Sequence, residues 1–409
     1  MSVNINDWKV EDLAFWKEKG SKIATRNILI SIPSLLLAFA VWIMWGIIIT
    51  KMKEFGYNFG MLEGISDALR ADKLKEINSL YYTLPAIAGL AGATLRIPNS
   101  FLIGLAGGRN VIFVTTLLLI IPVVGVGLAL RDINTPYMVF AAMALLSGFG
   151  GGNFASSMSN ISYFFPKRVQ GTSLGFNAGI GNLGVGIMQK TIPLVVGLTL
   201  FSAVDRDGSV ISSGALTGIQ NAGWIWVPFL VICSIAAFFG MNNVITGTPK
   251  LPNTLQGLGK TFYMVLLGLI AAGIGAYFLV GLKVNMWIVL PVVVILTILL
   301  MKYATPGEIK TNLEAQFSIF KDKHNWIMTI IYTMTFGSFI GFSAAFPKLC
   351  QDIFVYSDAV NPEFVNPNAP NFLMWVFLGP VIGALIRPVG GWLSDKVNSG
   401  SRVTTISTI

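Results

Sequence analysis

Arg96 and Arg387 are the residues from which a chemistry can be argued. Each stands beside a proline inside a long apolar run, in Arg96-Ile-Pro98 and Arg387-Pro388. Of the 28 Lys/Arg and 19 Asp/Glu, only these two arginines and Lys190 fall inside apolar runs, and every acid falls outside. An arginine at the centre of a membrane helix costs roughly 2.5–3.5 kcal/mol on the insertion scale, so it is expected to have interior work. With no carboxylate in the runs, a mobile anion is the simplest missing counter-charge. The planar guanidinium fork matches the oxygens of a planar oxyanion, where lysine offers a point charge. The competing reading has both arginines holding backbone carbonyls or snorkelling to an interface, and their matching contexts weigh against it. Lys190, three residues before Pro193, reads as a lysine whose stem reaches the interface.

A second concentration of informative residues lies at Ser147 to Met158 and Gly171 to Gly184. Gly148 and Gly152 stand four apart, as do Gly171, Gly175 and Gly179, a spacing that brings two helix backbones together. Packing accounts for most of these glycines, including Gly150 and Gly151. It does not account for Asn153, Asn177 and Asn182, which either line a polar path or join helices by hydrogen bonds. The run is not a phosphate-binding loop, because no strand precedes it and no Lys-Ser/Thr follows.

These residues need elements to hold them. The chain has 409 residues, is 54% hydrophobic and 11% charged, and has a mean hydropathy of +0.70. A soluble domain is usually about 25% charged, so this chain cannot cover a water-soluble surface. Apolar runs long enough to cross a bilayer as helices recur, and alternating strands are absent, which disfavours a β-barrel. The fold class is all-α, a polytopic membrane bundle. Ten runs are expected to be spans: Asn27–Thr50, Ser79–Leu105, Val111–Leu130, Tyr137–Phe164, Leu174–Phe201, Trp224–Met241, Thr261–Leu282, Val284–Met301, Trp326–Phe346 and Asn371–Leu393. A further segment, Val403–Ile409, begins after Arg402. The outer loop Lys51 to Asn78, with alternating charges and an apolar stripe, suggests a short surface helix.

With the N-terminus in the cytoplasm, inner segments carry 16 Lys/Arg and outer loops 9, which the positive-inside rule favours. The net charge of +9 is therefore read as topology and not as nucleic-acid binding. The first run follows 26 mixed-charge residues without an A-x-A site, and reads as a retained helix. Cys233 and Cys350 have no CxxC partner and His324 is the only histidine, so neither a disulfide framework nor a metal centre is expected, and no cofactor. Gly104-Leu-Ala-Gly-Gly-Arg-Asn110 after the second run and Gly391-Trp-Leu-Ser-Asp-Lys-Val-Asn-Ser-Gly-Ser-Arg402 after the tenth form a weak repeat. Parallel repeats place a substrate site between two halves near the midplane.

The stretch Gly148 to Met158, followed by Ser159-Asn-Ile-Ser-Tyr-Phe-Phe-Pro-Lys167, resembles the nitrate signature of the nitrate/nitrite porter family of the major facilitator superfamily. Asp7-Trp8, Ile30-Ser-Ile-Pro33, Phe336-Gly-Ser-Phe-Ile-Gly-Phe-Ser-Ala344 and the loop motif containing Asp395 extend the resemblance. It implies that Arg96 and Arg387 hold the anion from the two halves. It further implies that Phe154 and Phe336 sandwich the substrate plane, and that Asn177 and Tyr332 make polar contacts. The implied organisation is a cytoplasmic segment 1–26, a six-helix half 27–242, a linker 243–324 with an inserted hairpin 261–301, and the start of a second half, 325–409. The outer loop Lys51 to Asn78 is longer than is usual for the family. The family has four further spans after the position where this sequence ends, so the bundle is expected to be truncated in its C-terminal half and, as written, incomplete. The hairpin is expected to be peripheral, facing lipid and lining no cavity.

The function expected from these features is transport of small inorganic anions, nitrate and nitrite, across the inner (plasma) membrane by alternating access. With no acid in the ten runs, exchange is favoured over proton coupling. The alternatives are proton symport, a porter for another small anion, and a membrane anion sensor that does not transport. A membrane enzyme would have little chemistry to use.

Overall fold

The computed structural model describes residues 4–5, 7–198, 200, 218–244, 252–356, 365–400 and 402–403. Nearly everything described is helical. We number the helices α1 (Leu13–Ile43), α2 (Trp45–Glu54), α3 (Asp67–Ala106), α4 (Gly108–Ala129), α5 (Tyr137–Phe164), α6 (Lys167–Val196), α7 (Asn221–Gly240), α8 (Thr254–Gly281), α9 (Met286–Tyr303), α10 (Gly307–Gln316), α11 (Lys323–Val355) and α12 (Phe372–Val397). Two short parallel strands, β1 (Asn4–Ile5) and β2 (Asn243–Val244), tie the N-terminus to the end of α7. Among the described residues, nine helices are long and apolar enough to cross a membrane. α6 is equally long but rich in glycine and asparagine, which lowers its hydropathy without shortening it.

All ten expected runs lie in helices, with differences at their ends. The first divides into α1 and α2 at Met44. The last residue of the fifth, Phe201, lies outside the described residues, as does the Val403–Ile409 segment beyond Val403. The separate surface helix expected in the outer loop is instead the first part of α3, a helix of 40 residues. Pairs spaced i,i+3, Lys73–Glu76 and Lys75–Asp72, support that exposed extension.

α1 and α2 form the axis of the bundle, and Leu35 to Met52 is almost wholly buried. α3, α5 and α6 surround them, and α11 and α12 pack against the open side. Glycine sets these distances. A Cβ at Gly150 would stand 2.1 Å from the carbonyl oxygen of Ala38 on α1, and one at Gly151 2.5 Å from the Cα of Gly92 on α3. On α6, a Cβ at Gly175 would meet the Arg387 carbonyl at 2.8 Å, and one at Gly179 the Ala384 carbonyl at 2.8 Å. Pro388 supplies no N–H to the Ala384 carbonyl, which is the helix bond a proline removes. The Gly148–Gly152 pattern therefore seats α5 on α1 and α3, and the Gly171–Gly179 pattern seats α6 on α12.

The α8–α9 pair packs side by side. α8 lies along α3, where a Cβ at Gly268 would meet the Pro98 ring at 2.8 Å. α9 presents Trp287, Ile288, Ile295 and Leu299 outward.

Candidate functional site

Arg96 projects from α3 and is held by two protein acceptors. Its Nε donates to the Gly151 carbonyl of α5 at 3.1 Å, and Nη1 donates to the Tyr332 hydroxyl of α11 at 3.1 Å. Nη2 is buried and has no hydrogen-bond partner. Four rings surround the guanidinium: Phe336 at 4.3 Å, Phe154 at 5.0 Å, Trp42 at 5.1 Å and Tyr332 at 5.8 Å from its central carbon. Arg387, from α12, stands 5.4 Å from the same Phe336 ring and 5.3 Å from Phe339. Both arginines thus approach one ring from different helices. Among the described residues, no carboxylate lies within ion-pair distance of either.

Phe154, Tyr332 and Phe336 form a stack. Tyr332 and Phe336 are 4.9 Å apart and nearly parallel, as their spacing of one helical turn allows, and Phe154 lies 5.4 Å from Phe336 at an interplanar angle of 22°. A planar ion sandwiched between two rings needs about 7 Å, two contacts of about 3.5 Å each. Phe154 and Phe336 therefore touch each other in this structure, and a sandwich requires them to part.

Asn177 behaves differently from the other five expected ligands. It is fully buried on α6, and its Nδ2 donates to the Ser157 hydroxyl on α5 at 2.9 Å; Ser157 in turn bonds Ser31 on α1 at 2.9 Å. Here the amide joins three helices, while its Oδ1 has no partner. Asn153 and Asn182 are buried with neither side-chain atom partnered, so neither acts as a helix-joining bridge. Lys190 lies on the Phe377 ring at 5.2 Å, beside Met374.

No acid lies in the ten runs, but one is buried just beyond the ninth. α11 continues past its apolar run to Val355 and carries Asp352, whose side chain is 8% exposed. Asp352 accepts from Lys53 on α2 at 2.8 Å, from Lys348 one turn back on α11, and from the Tyr82 hydroxyl on α3. The lysine side chains are 4% and 0% exposed. Both ammonium groups also reach Asn78 Oδ1, at 3.3 and 3.2 Å. Nearby Tyr356 has its phenol pushed up by burial, with Glu54 and Asp352 acting in the same direction. The cluster ties α11 to α2 and α3. At the other end of the interface, Asp395 of α12 accepts from the Gly171 and Thr172 amides of α6 at 2.8 and 2.6 Å. Each end is bridged by one carboxylate from the C-terminal helices.

Trp42, Phe339 and the Lys53–Lys348–Asp352 cluster were not singled out from the sequence. Phe339 had a signal, its i+3 spacing from Phe336. Trp42 and Asp352 had none, being an aromatic in an apolar run and an acid beyond the end of one. No side chain of the α8–α9 hairpin is among the groups around either arginine.

An all-helical bundle with arginines from separate helices converging on aromatic rings in its interior is the architecture of a membrane transporter. Residues 9–188 match the family model of the Major Facilitator Superfamily. The chain is similar to the nitrate/nitrite transporter NarU of Salmonella typhimurium, at 36% identity over 405 residues, 99% of this chain and 68% of that protein. NarU of Escherichia coli is 35% identical with the same coverage. The probable nitrate/nitrite antiporter NarK2 of Thermus thermophilus is 33% identical over 99% of this chain and 71% of its own. The chain belongs to the nitrate/nitrite transporter family of the major facilitator superfamily.

Proposed function

We propose that this protein carries nitrate and nitrite across the bacterial inner membrane by alternating access, exchanging one for the other, with its N-terminus in the cytoplasm. The observation that carries the reading is the pair of arginines on one ring. Arg96 leaves Nη2 unpartnered in a buried setting, beside a Tyr332 hydroxyl whose oxygen already accepts from Nη1 and whose proton is therefore free to donate. Arg96 Nη2–H and Tyr332 O–H make a two-donor set for an oxyanion, and Arg387 supplies the second positive charge.

Exchange follows from the charges. With both guanidinium carbons within 4.3 and 5.4 Å of one ring centre, the charges stand at most about 10 Å apart and repel by at least roughly 2 kcal/mol at an effective dielectric near 20. A monovalent anion between them replaces that repulsion with two attractions, so the loaded carrier reorients more readily than the unloaded one. Asp352, buried just beyond the ninth run, is engaged by two lysines and a tyrosine, which argues against its serving as a proton relay. The relatives named as a nitrate/nitrite transporter and a probable nitrate/nitrite antiporter agree with this reading. A proton-coupled symporter and a sensor use the same ligands and differ only in what moves.

The roles of Phe154 and Phe336 as covers of the substrate plane, and of Asn177 as a further contact, belong to this proposal. So does the assignment of 261–301 as a peripheral hairpin. Nitrate binding to the purified chain tests the site: saturable binding competed by nitrite and not by sulfate supports it. Binding unchanged in Arg96→Gln refutes it.

A further inference from the structure

Arg96 is held at Nε and Nη1 by hydrogen bonds, and the Phe336 and Phe154 rings face its guanidinium at 4.3 and 5.0 Å. What lies on the α1 side is the Trp42 indole, 5.1 Å from the guanidinium carbon and 3% exposed. The indole is itself fixed, since its Nε1 donates to the Ala88 carbonyl of α3 at 2.6 Å. It occupies room that three glycines leave open. A Cβ at Gly92 would meet Trp42 Nε1 at 2.2 Å, one at Gly151 would meet Cε2 at 2.8 Å, and one at Gly150 would meet the Trp42 Cβ at 3.0 Å. Gly151 also supplies the carbonyl that accepts from Arg96 Nε. The same short piece of α5 therefore makes room for the indole and holds the arginine.

We propose that Trp42 is a positioning residue for Arg96: a rigid aromatic platform, seated in a cradle formed by Gly92, Gly150 and Gly151, that fixes the guanidinium plane so that Nη2 points to the anion. This rests on the proposed role of Arg96 as anion ligand and adds a reason for part of the glycine signature. Tryptophan is the side chain with the strongest attraction for a cation over its face, phenylalanine keeps a weaker one, and leucine has none. A platform role therefore depends on aromaticity, whereas a filling role depends on volume.

The test compares Trp42→Phe, Trp42→Leu and Gly92→Ala in the full chain reconstituted in liposomes, reading KM and Vmax for nitrate uptake together with the thermal midpoint of each purified variant. Trp42→Phe is expected to keep KM within about threefold of wild type. Trp42→Leu is expected to raise KM at least tenfold at similar Vmax and at a midpoint close to that of Trp42→Phe. Gly92→Ala, which pushes the indole, is expected to raise KM, and Trp42→Phe in the same chain to relieve the effect because the atoms it meets are gone. Should Trp42→Leu not fold, the Gly92→Ala and Gly92→Ala/Trp42→Phe pair decides. Equal KM for Trp42→Phe and Trp42→Leu, KM changes that simply follow the midpoint, or a harmless Gly92→Ala would overturn the proposal. A wild-type KM in Arg96→Gln would instead overturn the anion site itself, and this inference with it.

Discussion

Nη1 of Arg96 donates to the Tyr332 hydroxyl at 3.1 Å, joining α3 to α11 across the interior of the bundle. This bond occupies a lone pair of the phenol oxygen and leaves its proton available to donate. Tyr332→Phe removes an acceptor from a buried guanidinium and a donor from the anion. Hydrogen bonds to charged groups are worth about 1.5–3 kcal/mol, so nitrate affinity should fall roughly ten- to hundredfold. Binding measured on the purified variant checks this, and an affinity within twofold of wild type would remove Tyr332 from the site.

The arginines are predicted to be unequal. Arg96→Lys keeps the charge but loses the fork and both protein contacts, to Gly151 and Tyr332, whereas among the described residues the Arg387 side chain has no hydrogen-bond partner. Both substitutions should weaken nitrate binding more than tenfold, with Arg96→Lys the more damaging. Titrations of the two variants side by side measure the order. Wild-type affinity in Arg387→Lys would show that only charge is needed there.

Asp352→Asn leaves Lys53 and Lys348 buried without their carboxylate. Removing one partner of a buried pair costs about 3–5 kcal/mol, so the thermal midpoint should drop clearly. Adding Lys348→Met, which removes one of the stranded charges, should recover part of the loss. An unchanged midpoint in Asp352→Asn would mean that the cluster contributes little to joining α11 to α2.

Gly175 controls the distance between α6 and α12 at the carbonyl of Arg387 itself. Gly175→Val drives a side chain against the backbone of Arg387 and Gly391, so α12 must move and Arg387 with it. Nitrate uptake should fall at least tenfold, while Gly89→Ala, where a Cβ meets nothing within 4 Å, should transport normally. Equal activity in the two variants would mean that close packing of α6 on α12 is dispensable.

What the sequence made legible was what is energetically anomalous. An arginine in an apolar run stands out because lipid cannot solvate it, and Arg96 and Arg387 do meet at one ring. Glycines four apart announced close helix contacts, but not their partners, since spacing describes one helix face and says nothing of what covers it. Asp352 was missed because hydropathy marks where a helix meets lipid, and α11 continues beyond that limit under the cover of α2 and α3. Trp42 was invisible for the opposite reason: a tryptophan among apolar residues is ordinary, and only the neighbouring guanidinium gives it a role. The Asn177 contact to Ser157 was one of two readings left open, and the structure shows it as a helix-joining bond.

In the proposed exchange, a bound anion between Arg96 and Arg387 is what lets the carrier reorient. The direct measurement is uptake of labelled nitrate by the chain in liposomes, loaded either with nitrite or with no permeant anion. Rapid uptake is expected into nitrite-loaded liposomes, and uptake at least tenfold slower without internal anion. Equal uptake in both, driven by an inward proton gradient, would contradict exchange and assign the coupling to a proton.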